Sequence, residues 1–568
     1  MKRLILLLLI ILVAGNGFAQ NSRLQQQGLA TQLIVDGSPF LIVGGELGNS
    51  SAACVQDIER IFPKLKRMEL NTVLVPVYWD LVEPIEGNFD FSLTDKVLEQ
   101  ARKHDLKVVF LWFGAWKNSM SCYAPLWFKQ NYKKYPRAHT KSGKPLEIAS
   151  AFSGNVCEAD SRAFSQWMKH LAAIDREEGT VIMVQIENEI GMLEDARDYS
   201  KQAEVAFRSE VPAELIAHLQ KNKRSLHPHM LEKWGSRGYR KKGNWEEVFG
   251  ADIYTDELFM AWHYACYVEK LAQIARQIYN VPLYVNAAMN SRSRKPGEYP
   301  SAGPLAHLID IWHCAAPNID ILSPDLYDDG FTDWVAQYHL HNNPLFIPEI
   351  RLSDNNGVRA FYIFGEHNAI GISPFSIENG SDAPSAPLVQ SYGKLKELIP
   401  LLTRYQGKGV MKGLLFDQKN RERVIVQDNV KMTCRHYFTL PWDSRATDGS
   451  VWPEGGGIVL KLAPEEYLVA GSGIVIEFEK VTEKNVAKTL GEDGFVQTGG
   501  VQQKESETFS RWTGKRIGIG FVNEVNVTGD GKLRYVRRLN GDQSHQGRHV
   551  RIPVGQFDIL HVKLYEYE

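Results

Sequence analysis

The sequence predicts an α/β protein: a (β/α)8, or TIM, barrel followed by an all-β, sandwich-like C-terminal domain. Three observations carry that expectation. Between Phe40 and Ile377, eight short apolar runs recur, each of the length and composition of a strand buried on both faces. Helix-periodic stretches separate them, and eight such alternations fit a closed barrel better than an open doubly wound sheet. No glycine pattern suited to cradling a phosphate follows any run, which argues against a nucleotide-binding sheet. After Gln406 the texture changes to short alternating runs broken by Gly, Asp and Asn, as in antiparallel sheets. At 568 residues the chain has room for both parts.

Taken in order, the chain opens with Lys2 and Arg3, the apolar run Leu4 to Ala14, and the small-residue stretch Gly17-Phe18-Ala19. This reads as a signal peptide over residues 1–19 and implies export to the periplasm or the medium. The run is too short to span a bilayer and no other long apolar stretch follows, so the mature protein is expected to have no membrane span. The catalytic barrel is assigned to residues 20–403. Its strands fall at Phe40 to Leu47, Asn71 to Trp79, Lys107 to Trp112, Val181 to Asn188, Pro282 to Met289, Ile319 to Tyr327, Pro344 to Ile350 and Ala369 to Ile377. Helices fit between them, the first with Val55, Ile58, Ile61, Phe62, Leu65 and Met68 on one face. An insertion at about 192–250, basic in its second half, reads as a helical excursion beside the barrel mouth or simply a solvated face. Residues 404–568 form the β-rich domain, with strands at Gly409 to Phe416, Arg423 to Gln427, Gly457 to Leu462, Gly473 to Phe478, Ile517 to Val522 and Asp558 to Tyr565.

Composition narrows the function. A formal net charge of −2 with evenly scattered charges offers no basic face to phosphates, so nucleic acid is not an expected partner. The 13 Trp in a chain that is 11% aromatic suit either sugar stacking or a large core. Six cysteines lie far apart with no zinc-type spacing, and neither a metal nor an organic cofactor is signalled. Cys122 and Cys157 could pair after export, or all six could stay thiols.

Two carboxylates sit where apolar strand runs meet the catalytic rim: Glu189 in V-I-M-V-Q-I-E-N-E-I-G and Glu349 in P-L-F-I-P-E-I-R. In a barrel of this kind the active site forms at the C-terminal strand ends, and strands four and seven lie across the mouth from one another. One carboxylic acid to protonate a leaving oxygen and one carboxylate to attack the sugar carbon are what glycoside hydrolysis requires. Regular alternation would put Gln185, Glu187 and Glu189 on one face; the rim position favours Glu189 and leaves Glu187 as a buried structural acid. Glu46, Tyr78, Trp79, Trp116 and Asn118 stand at other strand ends, placed to line a sugar pocket or to pack.

The Q-I-E-N-E-I-G and F-I-P-E stretches, with G-G-E-L-G-N-S-S at 44–51 and V-P-V-Y-W-D-L-V-E-P-I-E-G-N-F-D-F at 75–91, resemble clan A retaining glycosidases. More specifically they resemble glycoside hydrolase family 35 β-galactosidases of the bacterial branch with a β-rich extension. The E-P-x-x-G-x-F-D-F ending also occurs in family 42. The resemblance implies that Glu189 is the acid/base, Glu349 the nucleophile, Asn188 a ligand of the sugar 2-hydroxyl, and Tyr327 a contact of the nucleophile. The loop F-G-A-W-K-N-S departs from the Ala-Glu-Trp pattern of animal relatives. The expectation is a retaining exo-β-galactosidase acting on an oligosaccharide or polysaccharide, with xyloglucan side chains named first. The alternatives are a β-glycosidase for another sugar (glucoside, mannoside or glucosaminide) and a non-catalytic glycan-binding protein.

Overall fold

Eight parallel strands close into a barrel in the computed structural model, which describes residues 22–290, 292–481 and 514–568. The predicted signal peptide lies outside those residues. The strands are β1 (Ile42–Glu46), β2 (Thr72–Tyr78), β3 (Lys107–Lys117), β4 (Val181–Asn188), β5 (Leu283–Ala288), β6 (Ile321–Leu326), β7 (Phe346–Ile350) and β8 (Gly371–Pro374). Each pairs with the next in sequence, and β8 returns to β1 through Gly371 opposite Ile42. Every residue of β2, β4, β6 and β7 is buried, because one strand face fills the barrel and the other lies under helices.

The outer helices are α1 (Val55–Arg67), α2 (Ser92–Lys103), α3 (Gly154–Asp175), α4 (Ile253–Ile278), α5 (Ile309–Ala315), α6 (Phe331–Tyr338), α7 (Asn356–His367) and α8 (Pro387–Tyr405). On α1 the buried set is Ile58, Ile61, Phe62 and Leu65, the periodicity read from the sequence. Between β4 and α4 the chain forms four short helices, Lys201–Arg208, Ala213–Lys221, Pro228–Ser236 and Trp245–Phe249, anchored by buried Trp234 and Trp245. Among the described residues no helix is long and apolar enough to cross a membrane.

A three-stranded antiparallel sheet, Ser22–Gln27, Ala30–Val35 and Ser38–Phe40, precedes the barrel and was not expected. The cysteines are all free thiols, so the Cys122–Cys157 pairing is corrected. Cys122 follows β3 with its Sγ toward the Lys117 carbonyl, whereas Cys157 is buried in α3 beside Ser161.

The C-terminal strands are β9 (Met411–Phe416), β10 (Glu422–Gln427), β11 (Val430–His436), β12 (Gly455–Ala463), β13 (Glu466–Ser472), β14 (Ile474–Lys480), β15 (Arg516–Val527), β16 (Leu533–Arg538), β17 (Val550–Ile552) and β18 (Asp558–Tyr567). They form a six-stranded sheet, β9-β12-β13-β18-β15-β16, and a four-stranded sheet, β10-β11-β14-β17. Alternation assigns the faces of the larger sheet. Val459, Val469 and Leu560 join the core between the sheets; Ile458, Leu460, Leu468 and Ile559 join the barrel's own core beneath α7 and α8. Each such side chain contributes about 1.5–3 kcal/mol of burial.

Candidate active site

The strand ends of β1, β3, β4, β6 and β7 bring four carboxyls and one ammonium into the barrel mouth. Glu46 ends β1, Lys117 ends β3, Glu189 follows β4, Asp325 lies in β6, and Glu349 lies in β7 opposite Asp325 in register. All five are less than a tenth exposed. One carboxyl oxygen from each of Glu189, Asp325 and Glu349 lies within 4.8 Å of the others. Among the described residues this trio is the one cluster of carboxyl, imidazole or thiol groups close enough to share a cation. With Lys117 beside it, the set is built to share protons.

The β3–β4 register explains how this happens. Trp112 pairs with Ile186, but the next partners are Lys117 and Asn188, so β3 carries three extra residues in a bulge. Glu187 takes a left-handed φ of 59° and turns its carboxylate into the bulge, where the Ala115 and Trp116 amides donate to it at 3.3 and 2.8 Å. The regular alternation expected from sequence therefore breaks here. Asp160, held by the Trp112 indole and the Tyr267 phenol, faces Glu187, and burial followed by that neighbour raises Glu187 well above the carboxylate range. A Cβ on Gly114 would stand 2.8 Å from oxygens of both acids, so the pair requires glycine there.

The bulge delivers Lys117 to the Asn188 side-chain oxygen at 2.8 Å, leaving the buried Asn188 amide nitrogen without a partner. Asn118 and Ser119, with φ of 49° and 66°, then make a two-residue turn closed by reciprocal Lys117–Met120 backbone bonds. That turn sets the Asn118 amide on Glu189 Oε2. Glu189 itself is held at φ 44°, its amide donating to Asn286 Oδ1 at 2.9 Å, while Asn286 Nδ2 donates to Asp325 at 2.7 Å. The Tyr327 phenol donates to Glu349 Oε1.

Burial raises every carboxyl in the mouth, to different extents. Glu189 is pushed up to about 7 by burial and the charge of Glu349, against the lowering effects of Lys117 and neighbouring Asp325. Glu349 is raised by burial but restrained by Lys117, the Tyr327 phenol and Glu46. Glu46 and Asp325 are raised well above the carboxylate range, by burial first and then by Glu349. Lys117, Tyr327 and Glu46 thus favour the charged form of Glu349, while Glu189 near neutral pH is an acid close to its midpoint.

The other sequence candidates divide. Glu46, Asn118, Asn188 and Tyr327 join Glu189 and Glu349. Trp79 opens a one-turn helix, donates to buried Glu83 at 3.0 Å and packs on Trp127 and Phe128, away from the carboxyls. Trp116 is wedged edge-on against Tyr264 and Tyr267 behind the bulge. Tyr78 accepts from the Ala52 amide at 3.3 Å and packs on Phe113 and Tyr123. Sequence reasoning missed Lys117, Asn286 and Asp325. Asp325 carried a signal, since S-P-D-L-Y ends a buried strand run in the manner of the two glutamates.

Comparison with known proteins gives two family matches. Residues 52–256 match the glycoside hydrolase family 42 model, described as β-galactosidase. Residues 388–551, which run from α8 into the sandwich, match a domain of unknown function, DUF5597. No curated protein matches. Solved structures similar to this chain include three β-galactosidases. That of psychrophilic Marinomonas ef1 is 14% identical over 63% of this chain and 60% of its own, with a TM-score of 0.43. That of the haloarchaeon Halorubrum lacusprofundi is 14% identical over 62% and 58%, TM-score 0.43. A family 42 enzyme from G. stearothermophilus, solved as a catalytic mutant, is 15% identical over 65% and 57%, TM-score 0.44. The chain covers less than two thirds of each of these proteins. The family 42 match overturns the resemblance to family 35. The E-P-I-E-G-N-F-D-F segment that both families share lies inside the family 42 match, and it is to family 42 that the barrel segment points.

Proposed function

We propose that this chain is a retaining β-galactosidase in which Glu349 is the nucleophile and Glu189 the acid/base. One observation carries the reading: carboxyl oxygens of Glu189 and Glu349 approach within 4.8 Å. Retaining pairs stand about 5–5.5 Å apart, whereas an inverting pair needs about 6.5 Å or more to admit water. In the first step Glu349 attacks the anomeric carbon as Glu189 gives its proton to the departing glycosidic oxygen. In the second, water attacks the same carbon, Glu189 takes its proton, and the bond to Glu349 breaks. The unpartnered Asn188 amide is positioned to donate to the sugar 2-hydroxyl. The family 42 match supports galactose as the sugar. Xyloglucan side chains lose the family 35 resemblance that suggested them.

The test is hydrolysis of a panel of p-nitrophenyl β-glycosides, with the anomer of the first product followed by proton NMR. Galactoside preference with β-product released first, and losses of at least about 10³-fold in Glu349→Ala and about 10²-fold in Glu189→Ala, are expected. Activity undiminished in both variants places the chemistry elsewhere. A parent inactive on every β-glycoside restores the non-catalytic reading. We also propose export, supported by the N-terminal Lys2 to Ala19 pattern, with N-terminal sequencing of secreted protein as its check.

A further inference from the structure

The two reacting glutamates are not alone: each faces a second buried acid from a neighbouring part of the rim. Asp325 faces Glu189 with oxygens within 4.8 Å, and Glu46 neighbours Glu349. Asp325 Oδ2 is occupied by the Asn286 amide, while Oδ1 has no donor of its own. Neither oxygen of Glu46 has a donor, nor has Glu349 Oε2. Two carboxylates contribute no hydrogen between them, so each facing pair is satisfied only if one member carries a proton. Both pairs lie around the single ammonium of Lys117, which lowers the cost of charge on Glu46, Glu189 and Glu349 alike. Among the described residues, the remaining titratable groups facing the cluster are the phenols of Tyr284 and Tyr327, both raised by burial and then by neighbouring carboxyls, so they stay protonated.

We propose that Glu46 and Asp325 are positioning residues that keep their protons through the whole reaction, Glu46 donating to Glu349 and Asp325 donating to Glu189. The mouth then holds one movable negative charge against Lys117. It rests on Glu349 in the free enzyme and passes to Glu189 once Glu349 is bonded to the sugar. Each location comes with a hydrogen-bond donor already in place. The idea rests on the glycosidase reading for its role in turnover, but the protonation states are a property of the fold.

Isosteric and truncating substitutions separate this from an ordinary role as ionised acids, because the two cases move the pH profile in different directions. If Asp325 is neutral, Asp325→Asn still donates to Glu189, and the alkaline limb of the kcat/KM profile keeps the parent's midpoint. Asp325→Ala loses the donor, which raises the Glu189 midpoint and moves that limb to higher pH. If Asp325 is ionised, Asp325→Asn removes a repelling charge and moves the limb to lower pH, which overturns the proposal. Glu46→Gln and Glu46→Ala should act in the same way on the acid limb set by Glu349. A readout independent of activity closes the test: infrared difference spectra near neutral pH. Each of Asp325→Asn and Glu46→Gln is expected to remove one protonated-carboxyl band. Loss of a carboxylate band in either variant overturns the proposal even if the protein proves to hydrolyse nothing. An inactive parent with both protonated bands present overturns only the glycosidase reading.

Discussion

Compare the barrel mouth with the seam where the sandwich docks. In the mouth four carboxyls are buried around one ammonium, and Glu187 and Glu189 hold left-handed φ of 59° and 44°. At the seam, Gly365 of α7 and Gly413 of β9 let helix and sheet touch: a Cβ on Gly365 would stand 3.0 Å from Gly413 Cα. Ile458 and Leu460 fill the rest, and charges pair only at the margin, Arg359 with Glu454 at 2.6 Å and Arg423 with Glu366 at 2.8 Å. The mouth thus concentrates buried charge and repulsion, and the seam close apolar packing.

The largest effect expected is from Lys117→Met. Removing the one cation from the mouth should destabilise the fold near neutral pH by about 3–5 kcal/mol, and by less in acid, where the carboxyls already carry protons. Urea unfolding at two pH values checks this; equal losses at both would mean that Lys117 acts by packing alone.

Next comes the pH dependence of stability. Glu189 binds its proton more tightly folded, at about 7, than unfolded, at 4.5. Its contribution is complete below about pH 4.5 and is lost as pH rises through about 7, a change on the order of 3 kcal/mol. His367, buried, and His227 and His313, part-buried, are pushed down to about 4 and run the opposite way in acid, so the quantity to measure is the difference between parent and Glu189→Gln. That difference should move in favour of the variant between those two pH values; a flat difference contradicts the buried-acid account of Glu189.

The seam should answer with the reverse pattern. Gly365→Val forces branched carbons against Gly413 and Ile458 and should cost about 1–3 kcal/mol by chemical denaturation, with kcat per folded molecule unchanged. A fall in kcat without a fall in stability would erase the distinction between the two regions. The smallest effect is that of Trp79→Phe, which removes one donor from Glu83 and should cost about 1 kcal/mol while KM stays that of the parent. A raised KM would return Trp79 to the sugar pocket.

The barrel was readable because strands covered on both faces are apolar at almost every position, a pattern that survives without knowledge of the partners. The sheet at Ser22–Phe40 was not, since R-L-Q-Q-Q offers no alternation, nor was the edge strand L-R-Y-V-R-R, which is exposed on both faces. Glu189 and Glu349 stood out as charges at the ends of such runs. Lys117 did not, because the strand was expected to stop at Trp112, and a bulge five residues later leaves no mark in hydropathy. The same strand-end logic put forward Trp79 and Trp116, which pack on Trp127 and Phe128 and on Tyr264 and Tyr267: position along a strand fixes depth in the barrel, but a helical turn or a bulge decides which way the side chain faces.

The sharing of one apolar cluster between barrel and sandwich bears on modularity. Ile458, Leu460, Leu468, Val525 and Ile559 belong to the same continuous core as the strands of the barrel. A chain cut after Tyr405 would leave the glycine-bearing face of α7 bare and strip Arg359 and Glu366 of their partners Glu454 and Arg423. The sandwich is therefore part of the barrel's wall. It cannot be exchanged or deleted as a cassette without a new cover for α7, and engineering of this protein has to treat the two parts as a single folding unit.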